Sequence, residues 1–153
     1  MVAVRLASAR EMHLDKHVKN QLEGGCQCGA VRYVATGAPL MTALCHCSMC
    51  RRANAAPAVA WVLFEETNVR FTTGEPTRYS SSPEAQRGFC GRCGTPLSFT
   101  ASYIPGLIDL TVGSLDHPER IQLDFHYWYS KRLSWLHVED GLPKHPEFPP
   151  TGG

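Results

Sequence analysis

The chain lacks any stretch approaching the roughly 18 consecutive apolar residues that a membrane helix needs. It also lacks a charge imbalance: 15 Lys and Arg stand against 14 Asp and Glu in 153 residues. A near-neutral chain has no long-range field to steer it to nucleic acid or to anionic lipid, so neither is expected as a partner. There is no GxSxG, no Walker A and no GxGxxG in the context those motifs require. No internal repeat or low-complexity block is present. The N-terminal segment has no secretory core, because Arg5 and Arg10 interrupt its apolar residues. An even cysteine count is also missing: there are seven. A fully paired disulfide framework would leave one over. The expected compartment is therefore the cytoplasm, where thiols stay reduced and clustered cysteines mean metal or catalysis.

Length and composition fit one domain with its own core. The hydrophobic fraction is 43% and the charged fraction 19%. Short runs with strand character recur between turn signals: 30–35, 58–64, 68–72, 77–80, 97–101 and 107–112. A longer run, 121–129, sets Ile121, Leu123, Phe125, Tyr127 and Tyr129 on one face. Only 48–53 and the neighbourhood of 133–138 read as briefly helical. The fold class is all-β, with antiparallel sheets and little helix. Residues 1–20 read as a flexible tail, 21–143 as the domain, and 144–153 as a proline-rich tail.

The cysteines fall into three groups with none left over: Cys26-Gln27-Cys28, Cys45-His46-Cys47-Ser48-Met49-Cys50, and Cys90-Gly91-Arg92-Cys93. Close pairs followed by a turn bring two thiolates to one ion, and Gly29 and Gly94 follow their pairs where the turn is tight. A structural zinc takes four ligands. A catalytic zinc takes three and keeps one position open. Seven divides as four plus three. Cys45, Cys47 and Cys50 can supply three within six residues, leaving Cys26, Cys28, Cys90 and Cys93 for a closed site joining segments about 65 residues apart. Spacing leaves other groupings open, such as Cys45 and Cys47 with Cys90 and Cys93, and also an iron–sulfur cluster.

Three segments carry a resemblance to a known family. Residues 24–33, 45–52 and 88–97 resemble, in order and spacing, the three motifs of the glutathione-dependent formaldehyde-activating enzyme (Gfa) family, which includes centromere protein V. Trp135-Leu136 and Asp140-Gly141-Leu142-Pro143 resemble its C-terminal region, so the likeness spans roughly 23–143. Ala55 stands where many members carry Gly. The resemblance implies a β-tent stapled by zinc, with a structural zinc on Cys26, Cys28, Cys90 and Cys93. It implies a catalytic zinc on Cys45, Cys47 and Cys50, so two Zn²⁺ per chain. The activity it implies is addition of glutathione to formaldehyde, classed with carbon–sulfur lyases.

Three thiolates leave a zinc site with net negative charge, a weaker acid toward water than a three-histidine zinc. A substrate thiol suits the open position better and would ionise there. The expected partners are thus a small thiol and a small aldehyde. Arg51 or Arg52 could offset the charge or hold a substrate carboxylate. His46, between two ligands, points away from the shared metal. His126 is either an acid–base residue lining the site or a hydrogen-bonded surface histidine. Trp61, Trp128 and Trp135 read as core. The competing reading is a non-catalytic, zinc-stapled binding module.

Overall fold

The computed structural model describes residues 21–150. The expected tail 1–20 lies outside the described residues. Among the described residues, ten strands form two sheets. The smaller sheet holds β1 (Gln21–Gly25), β2 (Arg32–Thr36) and β5 (Val69–Thr73), in the order β1-β2-β5, all antiparallel. The larger sheet holds β3 (Met41–Cys45), β4 (Val59–Glu65), β6 (Thr77–Ser82), β7 (Ala85–Phe89), β8 (Pro96–Ala101), β9 (Leu107–Thr111) and β10 (Phe125–Tyr127). Its order is β10-β3-β4-β9-β8-β7-β6. Every pair in it is antiparallel except β10 with β3, which is parallel and joins Phe125–Tyr127 to Ala43–Cys45. Among the described residues there is one α-helix, α1, spanning Ser48–Asn54. No helix of the described residues is long and apolar enough to cross a membrane.

The sheet faces follow from strand alternation. Val62, Phe64, Ile108 and Leu110 of the large sheet pack with Leu22, Tyr33 and Ala35 of the small one. The Tyr33 hydroxyl bonds Ser114 Oγ at 2.7 Å inside this core. The other face of the large sheet carries a second apolar cluster: Ala43, Cys45, Cys50, Val59, Trp61 and Tyr127, with Phe99 and Trp128 against it. The sequence-based reading of an all-β chain with one short helix at 48–53 agrees with this architecture.

Three local expectations are corrected. Trp135, read as core, is 63% exposed. The segment 133–138 is not helical: one turn, closed by Leu136 N–H to the Leu133 carbonyl at 3.1 Å, gives way to irregular chain. The run 121–129 pairs as a strand only over Phe125–Tyr127. Asp124 is diverted to Thr42, whose hydroxyl lies 2.9 Å from its carboxylate. After Tyr127 the chain turns through Trp128 at φ 53°. Residues 143–147 lie along this segment. His126 N–H donates to the Pro143 carbonyl at 2.8 Å and Tyr129 N–H to the His145 carbonyl at 3.0 Å.

Candidate metal centre

Two matching turns build the four-cysteine group. One links β1 to β2: Cys26 N–H bonds the Val31 carbonyl at 3.0 Å and Gly29 N–H bonds the Cys26 carbonyl at 3.0 Å. The other links β7 to β8: Cys90 N–H bonds the Thr95 carbonyl at 2.9 Å and Gly94 N–H bonds the Cys90 carbonyl at 2.8 Å. Gly29 and Gly94 have φ of 76° and 79° with open space around them, so backbone conformation and not crowding selects glycine. The two turns cross-link through Gln27 N–H to Thr95 Oγ1 at 3.1 Å.

The four sulfurs of Cys26, Cys28, Cys90 and Cys93 lie within 4.8 Å of one another. Cys26 to Cys28 is 3.6 Å and Cys28 to Cys90 is 3.8 Å. A tetrahedron with zinc–sulfur bonds of about 2.3 Å has sulfurs about 3.8 Å apart, whereas a disulfide needs about 2.05 Å. All seven cysteines are free. Both turns offer their donors to sulfur: Val31 N–H reaches Cys26 Sγ at 3.2 Å, and Thr95 Oγ1 lies 3.2 Å from Cys93 Sγ. The Thr95 hydrogen bonds pull the Cys93 thiol down to about 5. The donor set therefore fits a metal ion, in a place where it would tie the small sheet to the large one.

Cys45, Cys47 and Cys50 form the second group, their sulfurs also within 4.8 Å of one another. The grouping of Cys45 and Cys47 with Cys90 and Cys93, open from spacing, does not occur. Cys45 ends β3 and Cys50 lies in the first turn of α1, both buried. Cys47 is the N-cap of α1, its sulfur accepting Cys50 N–H at 3.2 Å. Hydrogen bonds from Cys45 and then Cys50 hold the Cys47 thiol down at about 2. The same contact with Cys47 pushes Cys45 far above its usual range. Three thiols packed this closely cannot all ionise without a cation among them. Among the described residues, no fourth Cys, His, Asp or Glu joins them.

A cation in contact with this cluster is one the sequence reading missed. Arg87, on β7, places Nη2 3.8 Å and Nη1 3.9 Å from Cys50 Sγ, and its guanidinium lies 4.9 Å from the Phe99 ring centroid. A lone arginine in a polar strand carries no sequence signal; only strand register delivers it here. Arg51, on α1, has a buried Nε without a hydrogen-bond partner, while Arg52 is exposed. Burial first, then the nearby charges of Cys45, Asp109 and Cys50 and a hydrogen bond to Cys45, drive Tyr127 well above its usual range.

His126 and His46 are both sealed in the interior, at 0% and 1% exposure. His126 Nδ1 lies 2.9 Å from His46 Nε2, and its Nε2 lies 2.7 Å from Asp140 Oδ2. Strand alternation turns His126 to the opposite side of β10 from Tyr127 and the cysteines. His126, expected either to line the site or to face solvent, is thus a buried link. Desolvation pulls His46 down to about 4, so it is neutral at pH 7. Asp140, held low chiefly by its bond to His126, also caps the Leu142 N–H at 3.1 Å. The pair ties the end of β3 to the segment around Asp140.

Comparison with known proteins places this geometry. A family model for the glutathione-dependent formaldehyde-activating enzyme matches residues 21–131. An uncharacterized lyase of Schizosaccharomyces pombe is 33% identical over 79 residues, covering 52% of this chain and 57% of that protein. A protein of Halomonas elongata, named for glutathione-dependent formaldehyde activation, is 27% identical over 133 residues, covering 77% of this chain and 81% of its own. A crystal structure of a Rhodobacter sphaeroides protein superposes with a TM-score of 0.52 at 25% identity, covering 61% of this chain and 87% of that one.

Proposed function

The chain belongs to the glutathione-dependent formaldehyde-activating enzyme family, and from that premise we propose a zinc-dependent enzyme that joins a glutathione-like thiol to a small aldehyde such as formaldehyde, or releases it. Two zinc ions per chain are proposed. Cys26, Cys28, Cys90 and Cys93 would hold a structural ion, and Cys45, Cys47 and Cys50 a catalytic one.

The observation that carries this reading is the asymmetry between the clusters. One offers four sulfurs and the other three, with no fourth ligand residue beside it among the described residues. Zinc held by three thiolates supplies an open position at which a substrate thiol ionises near neutral pH. The chain's own residues do the rest. Arg87 offsets negative charge at Cys50 and gives an incoming thiolate or carboxylate an attractive side. Trp61, Phe99 and Tyr127 exclude water around the sulfurs. The His46–His126–Asp140 chain positions β10 and is not placed against the reacting atoms. Free thiols throughout agree with a reducing, cytoplasmic setting.

The test mixes glutathione and formaldehyde with the zinc-loaded protein and follows S-(hydroxymethyl)glutathione by exchange NMR. The proposal expects acceleration over the uncatalysed reaction, and its loss in Cys47→Ser with the fold retained. No acceleration in protein carrying two zinc ions would move the binding-module reading ahead.

A further inference from the structure

Five buried side-chain atoms among the described residues lack a hydrogen-bond partner, and two of them sit on neighbouring strands beside the three-cysteine cluster: Trp61 Nε1 and Asp109 Oδ1. Trp61 on β4 lies opposite Thr111, and Asp109 on β9 lies opposite Leu63. The two therefore share a sheet face as diagonal neighbours. Phe99 links them. It is opposite Asp109 in register, and its ring centroid is 6.3 Å from that of Trp61. Trp61 packs in the same apolar cluster as Cys45 and Cys50. Tyr127 feels the charges of Cys45, Asp109 and Cys50 together. Arg87, opposite Phe99 in register, closes the circle at Cys50.

Trp61 is 2% exposed and Asp109 7%. An unmet polar group at that depth is costly, and folded proteins keep few of them. An indole N–H can only donate. A carboxyl can accept or donate according to its proton. The group that satisfies both is an oxygen that accepts from the indole and exchanges a proton with the carboxyl. The carbonyl oxygen of a small aldehyde does this, as does the hydroxyl it becomes.

We propose that Trp61 and Asp109 form the site for the aldehyde oxygen, Trp61 as hydrogen-bond donor and Asp109 as the group that moves the proton. This rests on reading the three-cysteine cluster as the thiol site. The Asp109 carboxylate takes the S–H proton of the thiol. The sulfur lone pair forms the carbon–sulfur bond as the carbonyl π pair moves onto oxygen. Asp109 then returns the same proton to that oxygen, giving the hydroxyl. Trp61 N–H donates to the oxygen while its charge develops. No outside acid, base, oxidant or reductant is consumed, and the reverse sequence releases the aldehyde. Burial supports the role by pushing the Asp109 carboxyl up to about 7, where both of its forms are accessible at neutral pH.

The experiment compares zinc-loaded wild type, Trp61→Phe and Asp109→Asn for zinc content, melting temperature and rate of hemithioacetal formation. It adds the indole ¹⁵N–¹H resonance of Trp61, assigned by its disappearance in Trp61→Phe. Glutathione with formaldehyde should shift that resonance, and glutathione alone should not. Both variants should keep their zinc. Asp109→Asn should lose roughly 100-fold or more in rate, and Trp61→Phe about tenfold, the scale of one hydrogen bond. Full activity in both variants, or an unmoved indole in an active protein, overturns this assignment and leaves the thiol reading standing. A wild type that accelerates nothing overturns both. If Asp109→Asn fails to fold, Asp109→Glu decides: its carboxyl is displaced by one methylene, and an unchanged rate overturns the proposal.

Discussion

Asp109 should weaken the fold above neutral pH, and replacing it by asparagine should stabilise the protein by an amount that grows with pH. Its carboxyl is buried on β9 with Oδ1 unpartnered, and desolvation raises its pKa from 3.8 to about 7. Over that interval the folded protein holds the proton more tightly than the unfolded chain does. Its stabilising share is therefore complete below about pH 4, declines as pH rises, and is gone above about pH 7. A tenfold difference in proton affinity is worth about 1.36 kcal/mol, so the whole effect is on the order of 4 kcal/mol. Asparagine has nearly the same shape and no proton to lose. Urea unfolding of zinc-loaded wild type and Asp109→Asn at pH 5.5 and pH 8 isolates the difference, because the cysteines and histidines titrate alike in both. The gap should widen in favour of the variant by about 2 kcal/mol between those pH values. A gap that stays constant would refute the claim that this carboxyl is held unpaired in the interior.

Cys93→Ser should remove one ligand of the ion that staples the two sheets, and circular dichroism should show loss of the fold; Cys47→Ser should not, because serine also caps a helix. Ala55→Gly should stabilise by about 1 kcal/mol, because Ala55 ends α1 at φ 48°, a region costly to any residue with a Cβ; a destabilised variant in urea would show that the cap is not strained. His126→Ala should cost about 3 kcal/mol or more in urea unfolding, since it empties a fully buried ring position and leaves His46 Nε2 and Asp140 Oδ2 unpartnered; a cost under about 1 kcal/mol would mean the link contributes little to the fold.

What could be read from the sequence was what spacing encodes. The two knuckle turns declare themselves, because thiol pairs and a left-handed glycine occur within five residues. The apolar run of β4 and the single helix after Cys47 were equally plain. The failures have local causes. Gly24 and Gly25 have the composition of a turn but lie in β1. A Cβ on Gly24 would stand 2.4 Å from the Tyr33 hydroxyl, so the glycine serves close approach and not chain reversal. Strand β7 is masked by Gln86, Arg87 and Gly88. A Cβ on Gly88 would meet Ser98 Oγ at 2.3 Å. His126 looked solvent-facing because alternation assigns a face without saying what covers it. Here His46 and residues 140–145 do. Arg87 and Asp109 were beyond reach for a different reason. They come to the cluster only through register across β7, β8 and β9, which no local pattern records.

The most direct test of the central claim is zinc per chain on reduced protein, before and after mild chelation, with circular dichroism alongside. The four-plus-three arrangement predicts two zinc ions falling to one with the fold intact, the second returning when zinc is restored. A single ion throughout, not raised by added zinc, would contradict an open metal site on Cys45, Cys47 and Cys50, as would loss of both ions and the fold together.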